Sequence, residues 1–123
     1  MADFNSVGLQ FVQYYYNQFQ VNRAELVNLF TDQSMLSFEG EHFKGTQQII
    51  QKFQSLGMQK ISHQIVTHDV QPSSTQGGIL IFVTGLLKMD EDAPMKFTQV
   101  FHLNQTPGGS YYVHNTVFRL NLG

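Results

Sequence analysis

The spacing of apolar residues changes once along the chain, from a helical period of three to four to a strand period of two. Before residue 57 the apolar positions form helical stripes, whereas from Ile61 onward they alternate with polar ones. Turn-forming and acidic segments divide this second half into four long predicted strands: 61–71, 79–88, 95–105 and 110–122. Helices therefore come first, and strands joined by hairpins follow.

The first predicted helix covers residues 4–19. Its apolar residues are three or four apart and make one stripe: Phe4, Val7, Phe11, Tyr15 and Phe19, flanked by Tyr14 and Tyr16. A short second helix is predicted to begin after Asn22, with Glu25 at its third position as in a capping box, and to end near Asp32.

A third helix is predicted over residues 45–55, with Gly57 as its stop. Residues 35–38 predict a short strand, and 42–44 favour a second one. Segregated helices and hairpin-linked strands are typical of an α+β fold. Because strands of this length twist and curl, we expect three N-terminal helices packed in a strongly bent antiparallel sheet.

Composition excludes several classes of protein. The 123 residues predict one domain, 1–123, and the net charge of −2 comes without a basic stripe, so no nucleic-acid partner is expected. The lack of Cys excludes disulfides and thiolate metal sites. No apolar run reaches the roughly 18 residues of a membrane span, and the N-terminus lacks a secretory pattern. We expect a soluble, intracellular protein with no membrane partner.

Motifs of catalysis are absent: the sequence has no phosphate loop, dinucleotide fingerprint, HExxH or nucleophile elbow. His63 and His68 are five residues apart, so strand alternation predicts opposite faces. His102 and His114 fall on neighbouring strands where they can face each other, but such a pair is more often a packing contact than a zinc site. We predict no catalytic residue, no metal and no cofactor.

Three of the nine acids, Asp90, Glu91 and Asp92, lie side by side between two strands. Charged hairpin tips keep sheets soluble, so charge alone supports a solubilising tip and a binding loop equally. Met89 and Met95 flank the acids and can adapt to an apolar group, which favours binding of a partner with basic residues around an exposed aromatic. Alternation predicts Asp90 and Asp92 on one side and Glu91 on the other.

Phe38 and Glu39 are a second candidate site, at the end of the predicted short strand before Gly40. One interpretation is a core Phe followed by a turn Glu. The other is an aromatic pocket wall with a carboxylate at its mouth. The pattern by itself leaves both open.

Eight segments agree in order and spacing with one known family. They are FVQYYYNQF (11–19), NRAELVNLF (22–30), SMLSFEG (34–40), ISHQI (61–65), QP (71–72), KMDEDAPM (88–95), QVFHL (99–103) and YYVHNTVFRLNL (111–122). Along these segments the chain resembles the nuclear transport factor 2 family. The resemblance implies a cone-like α+β fold around a hydrophobic cavity, a homodimer joined through sheet faces, and no catalysis.

Members of this family import the GDP-bound GTPase Ran into the nucleus and cross the pore by weak contacts with FxFG repeats of nucleoporins. The resemblance therefore implies Ran-GDP and FxFG nucleoporins as partners, and the cytoplasm, nuclear pore or envelope, and nucleus as locations. It implies Ran-binding roles for Glu39, Asp90, Asp92, Phe38 and His63. It further implies cavity walls at Leu56, Ile61, Met95 and Phe118, and nucleoporin contacts at Phe4 and Gln76.

The chain departs from the family pattern in three places. Gly57-Met58 stands where Pro-Phe is common, Thr116 replaces an acid, and Gln76 replaces Asn. These departures bear on affinity and on the choice of nucleoporin.

Two other functions stay open. The same cone fold hosts isomerases and dehydratases, for which His63, Asp69 and Tyr15 are the candidates here, although His63 and Asp69 would be about 20 Å apart along one strand face. A heterodimeric interaction module of mRNA export is the other, since relatives of this domain form such pairs.

Overall fold

A computed structural model of the chain describes residues 3–56, 60–74 and 77–121. Its helices are α1 (Phe4–Val21), a 3-10 helix (Arg23–Leu29) and α2 (Thr46–Ser55). Its strands are β1 (Met35–Phe38), β2 (Glu41–Lys44), β3 (Ile61–Pro72), β4 (Ile79–Met89), β5 (Met95–Gln105) and β6 (Tyr111–Leu120). The element types and their order are those predicted.

The strands form one curved sheet in the order β2-β1-β6-β5-β4-β3. Neighbours joined by hairpins pair antiparallel, but β1 runs parallel to β6, with Phe38 opposite Phe118. The sheet is therefore mixed, which corrects the expected antiparallel sheet at this one pair. Because β1 and β6 come from opposite ends of the chain, local alternation carries no information about their pairing.

Helix α1 is capped by Asp3, whose carboxylate accepts hydrogen bonds from the backbone N–H of Asn5 (3.3 Å) and the hydroxyl of Ser6 (3.2 Å). The helix buries a wider face than predicted: Gly8, Phe11, Val12, Tyr15, Tyr16 and Phe19. Tyr16 thus belongs to the core instead of flanking it, whereas Phe4 is 37% exposed.

The second helix takes the 3-10 form and ends at Leu29, earlier than predicted. Asn22 makes no side-chain cap bond, so the expected capping box does not form. Arg23 secures this region instead, because Nε donates to the carbonyl of Phe19 and Nη1 to that of Phe53, both at 3.1 Å. One guanidinium therefore joins α1 to α2.

A β-bulge between residues 65 and 67 reverses the alternation in the second half of β3. His63 and His68 pair with buried residues of β4 and so point to the same face, which corrects the prediction of opposite faces. Asp69 pairs with the exposed Phe82 and lies on the outer face. His63 and Asp69 therefore do not share a face.

The core lies between the helices and the inner face of the sheet. At Gly85 the backbone of β4 leaves no room for a side chain, since a Cβ would be 2.3 Å from the carbonyl oxygen of Gln64 and 2.9 Å from the ring of Phe97. Ring contacts dominate, as between Phe101 and Tyr15 at a centroid distance of 4.8 Å. Within the described residues, no helix combines the length and apolarity needed to cross a bilayer.

Candidate functional site: an aromatic cavity with an acidic mouth

An apolar cavity of about 180 Å³ lies where the helices meet the inner face of the sheet. Both halves of the chain contribute to its lining: Tyr15, Tyr16, Phe19, Leu36, Phe38, Phe53, Leu56, Ile61, His63, Leu87, Met89, Gln99, Phe118 and Leu120. The apolar stripes of the helices and the inward residues of the strands thus enclose a space that neither could form alone.

One wall of the cavity is a stack of aromatic rings. Phe38 stacks on Phe118 with centroids 4.8 Å apart and planes at 11°, and Phe118 stacks on Phe97 at 5.6 Å. Lys52 Nζ lies 5.3 Å from the centroid of Phe38 and forms an ion pair with Glu41 at 3.2 Å. The parallel pairing of β1 with β6 creates this wall, and the cation holds its outermost ring.

Buried hydrogen bonds form the floor. The hydroxyl of Tyr16 donates to Gln99 Oε1 at 2.7 Å, while Gln99 Nε2 donates to Thr116 Oγ1 at 2.9 Å and contacts the hydroxyl of Tyr15 at 3.5 Å. Thr116 is thus an integral part of this network. Burial raises the pKa of both tyrosines well above the usual value, so the floor carries no charge.

His63 lies in the wall beside Tyr16, with ring centroids 4.6 Å apart. Gln20 Oε1 accepts a hydrogen bond from the backbone N–H of His63 at 2.6 Å and is 3.2 Å from its Nδ1. Burial, and secondarily the charge of Arg23, lower the pKa of His63 from 6.5 to about 4. The imidazole is therefore neutral near neutral pH.

Glu39 and Asp90 have an unusual backbone in common. In the described ranges they are the two non-glycine residues with positive φ, at 52° and 53°, a conformation that costs roughly 1–3 kcal/mol. The carboxylate of Glu39 accepts the backbone N–H of Leu120, and Asp90 Oδ1 accepts that of Lys60 at 3.0 Å. Each carboxylate is thus fixed by a strand or loop that is distant in sequence.

The acidic segment forms a turn, closed by the backbone N–H of Asp92 bonding to the carbonyl of Met89 at 3.0 Å. Asp90, Glu91 and Asp92 are all exposed. Strand alternation does not apply inside a turn, so it gives no reason to place Glu91 on a different side from Asp90 and Asp92. Asp90 is distinguished instead by its bond to Lys60.

Among the predicted cavity walls, Leu56, Ile61 and Phe118 line the cavity and Met95 does not. Met95 is half-buried opposite Leu87, on the cavity side of the sheet but outside the lining. Met89 supplies the methionine of the wall, opposite Ile61 of β3.

Sequence reasoning missed the polar floor. Gln99 occupies an inward position of β5, in step with the buried Phe97 and Phe101, and only 2% of it is exposed. A polar residue in a row of core positions was the available signal. Tyr16 gave no such signal, since its place in the core depends on how α1 rotates against the sheet.

Phe4, one of the two residues implied for nucleoporin contact, is not among the residues that line the cavity. Phe4 stands at the exposed start of α1, and Gln76, like Gly57 and Met58, lies outside the described residues.

The outer face of the sheet carries several large apolar side chains that are 41–59% exposed: Val66, Leu80, Phe82 and Val117.

His102 and His114 contact each other across the β5–β6 pair, with perpendicular rings 5.8 Å apart. His102 also bonds to Asn115 (3.4 Å) and Ser73 (3.2 Å). The described part of the chain contains no cluster of three or more His, Cys, Asp or Glu that could hold a metal ion. The rings of His102 and His114 pack edge to face across the two strands.

Three helices against a curved mixed sheet, with an aromatic cavity between them, define a cone-shaped α+β protein. The family description "Nuclear transport factor 2 (NTF2) domain" matches residues 7–120. The chain belongs to the nuclear transport factor 2 family.

Relatives and a solved structure agree with this assignment. Nuclear transport factor 2 of Emericella nidulans is 51% identical over 121 residues, covering 98% of this chain and 97% of its own. That of Kluyveromyces lactis is 48% identical, covering 98% and 96%. The structure of nuclear transport factor 2 from Cryptosporidium parvum superposes with a TM-score of 0.92 at 43% identity, covering 96% and 94%. These relatives are named as transport factors.

Proposed function

We propose that this chain is a nuclear import carrier that binds GDP-loaded Ran at the cavity mouth and crosses the nuclear pore on FxFG nucleoporins. The observation that carries the proposal is a preformed cavity of one-ring size, with a fixed carboxylate directly after each of two lining residues, Phe38 and Met89. Its partner would present an aromatic side chain flanked by basic residues. The carrier would work without catalysis, in the cytoplasm, at the pore and in the nucleus.

The cavity has the size for one aromatic side chain. An apolar cavity of about 150 Å³ is enough to hold benzene, and this one is about 180 Å³. Burying a Phe ring of the partner there would contribute about 1.5–3 kcal/mol. Sites for drug-sized or multi-ring ligands are about 300–1,000 Å³, so the volume favours an inserted side chain over an enzyme substrate.

Charge at the mouth suits a basic partner. Glu39 and Asp90 each use one contact with a backbone N–H for orientation, and no ion pair is present at either in the described part of the chain. A Lys or Arg could therefore add a charge-assisted hydrogen bond worth about 1.5–3 kcal/mol. Because the carboxylates are already fixed, little ordering cost would offset it. Asp92 adds charge beside them.

Parallel pull-downs with GDP-loaded and GTP-loaded Ran test this proposal. We expect binding of the GDP form alone, and about a tenfold or greater loss in Asp90→Asn. Asn keeps an oxygen for the Lys60 N–H and tolerates positive φ, so the fold should be unaffected. Glu25→Gln, an exposed acid of the 3-10 helix, is the matched control. Equal binding of both nucleotide forms, or no binding, would overturn the proposal.

Self-association is the next part of the proposal. Exposed apolar residues on the outer sheet face, such as Phe82 and Val117, suit the sheet-to-sheet homodimer that the family implies. Sedimentation should give a dimer that Phe82→Glu converts to a monomer. A stable wild-type monomer would favour the heterodimeric module instead.

Nucleoporin binding would use Phe4 and Gln76. Exposure of Phe4 at the start of α1 supports its availability. Phe4→Ala should weaken binding to an FxFG peptide and leave Ran binding intact. A parallel loss of both would assign Phe4 a structural role.

The enzyme alternative has little support. Of its candidates His63, Asp69 and Tyr15, the bulge in β3 turns Asp69 to the outer side of the sheet, away from His63. Turnover of a ketosteroid-like substrate that is lost in His63→Ala would revive it.

A further inference from the structure

The tautomer of His63 follows from its contacts with Gln20. A backbone N–H can only donate, so the Gln20 atom that is 2.6 Å from the His63 nitrogen must be the carbonyl oxygen, Oε1. The same oxygen is 3.2 Å from Nδ1 of the imidazole. An amide oxygen can only accept, so Nδ1 carries the proton.

The other ring nitrogen, Nε2, is therefore an acceptor with a free lone pair. Within the described ranges no side chain or backbone group donates to it, and it is not among the polar atoms sealed from solvent. The imidazole belongs to the cavity lining, and its pKa of about 4 keeps the lone pair available near neutral pH. Within the described residues, His63 thus brings one unused acceptor to the lining of an apolar space.

The amide of Gln99 is not available in the same way. Gln99 uses Oε1 for Tyr16 and Nε2 for Thr116, so its amide is already engaged on both sides. A charged ligand would lose its hydration against an apolar lining without a counterion. The cavity therefore selects a neutral ring with one donor.

We propose that the cavity is a binding site for small monocyclic phenols, with the ring in the apolar space and the hydroxyl donating to Nε2 of His63. About 180 Å³ accommodates one ring and its hydroxyl. A bound phenol would also exclude the aromatic side chain of a protein partner. This second statement rests on the proposed function, whereas phenol binding itself does not.

Titrations with phenol, anisole and benzene test the site. Anisole has the shape of a substituted phenol but cannot donate, so we expect phenol to bind about three- to tenfold more tightly than anisole. In His63→Leu this preference should disappear while benzene still binds. His68→Leu, an exposed histidine on the same strand face, is the matched control and should keep the preference.

The nitrogen-15 chemical shift of His63 Nε2 gives a readout on the wild-type protein, independent of any variant's folding. Phenol should move this signal in proportion to saturation, and benzene should move it far less. Equal affinity for phenol and anisole, an unmoved Nε2 signal at phenol saturation, or no saturable binding would each overturn the proposal.

Competition separates this inference from the carrier function. Saturating phenol should release GDP-loaded Ran from the protein. If phenol binds as described and the protein never binds Ran, the proposed function fails and the ligand site stands. If Ran binds and phenol does not, the ligand site fails alone.

Discussion

Replacing His63 with leucine should flatten the acid side of the protein's stability profile. In the native structure the imidazole lies among Tyr16, Phe19 and Phe97, with ring centroids 4.6–5.7 Å away. Its burial, and then the charge of Arg23, lower its pKa from 6.5 to about 4. The unfolded chain exposes the same imidazole to water, where it binds a proton more readily.

The sign and size of the effect follow from proton linkage. Between the two pKa values the unfolded state binds more protons, so the free energy of unfolding falls as the pH drops from 6.5 towards 4. The contribution is fully present above the unfolded value and lost at the folded one. Moving from about pH 7.5 to about pH 5 should cost about 2 kcal/mol through this single group.

Urea denaturation of wild type and His63→Leu at both pH values measures the effect. Carboxylates titrate in both proteins, so the quantity to compare is the change in the wild type minus that in the variant. His68→Leu is the control, because that imidazole is exposed. Parallel loss of stability in wild type and His63→Leu would refute the claim that folding buries a neutral imidazole.

Three further substitutions have defined outcomes. Gly85→Ala would bring a Cβ to 2.3 Å from a backbone oxygen of β3, and urea denaturation should show a loss of about 2–3 kcal/mol. Gln99→Leu leaves the hydroxyl of Tyr16 without its acceptor, which should cost about 1–3 kcal/mol in the same assay. Lys52→Met removes the cation near Phe38, so the affinity for GDP-loaded Ran should fall about two- to fivefold.

Two of these substitutions have a control. Gly108→Ala changes a loop glycine with room around it and should leave stability nearly unchanged. Lys52→Arg keeps the cation and should bind GDP-loaded Ran like the wild type. Unchanged affinity in Lys52→Met would show that the cation near Phe38 has no role in recognition. If Gln99→Leu is as stable as the wild type in urea, the hydrogen bonds of Gln99 contribute nothing to the free energy of unfolding.

Several features could be predicted from sequence patterns that extend over only a few residues. The spacing of Phe11, Tyr15 and Phe19 predicted part of the buried face of α1, and the change to a period of two predicted the four long strands. The acidic turn and the Phe38-Glu39 pair were recognised as candidates for the same reason, since each depends on neighbouring residues.

Contacts between segments that are distant in sequence could not be predicted. The bond from Leu120 to Glu39 requires the parallel pairing of β1 with β6, and that from Lys60 to Asp90 requires the ends of β3 and β4 to meet. A single bulge in β3 was enough to invalidate the predicted faces of His68 and Asp69. Register errors of one residue move every later side chain to the other face.

Helices, strands, their order and the acids available for binding could all be inferred from the amino-acid sequence, because periodicity and turn chemistry act over a few residues. The folded chain brings an aromatic wall and an uncharged floor together around one cavity, and it fixes the carboxylates that follow two of the lining residues, Phe38 and Met89. Those relations depend on sheet order, register and helix rotation, which are set by packing of the whole chain. The neutral state of His63 has the same origin, since burial lowers its pKa and only the folded chain buries it.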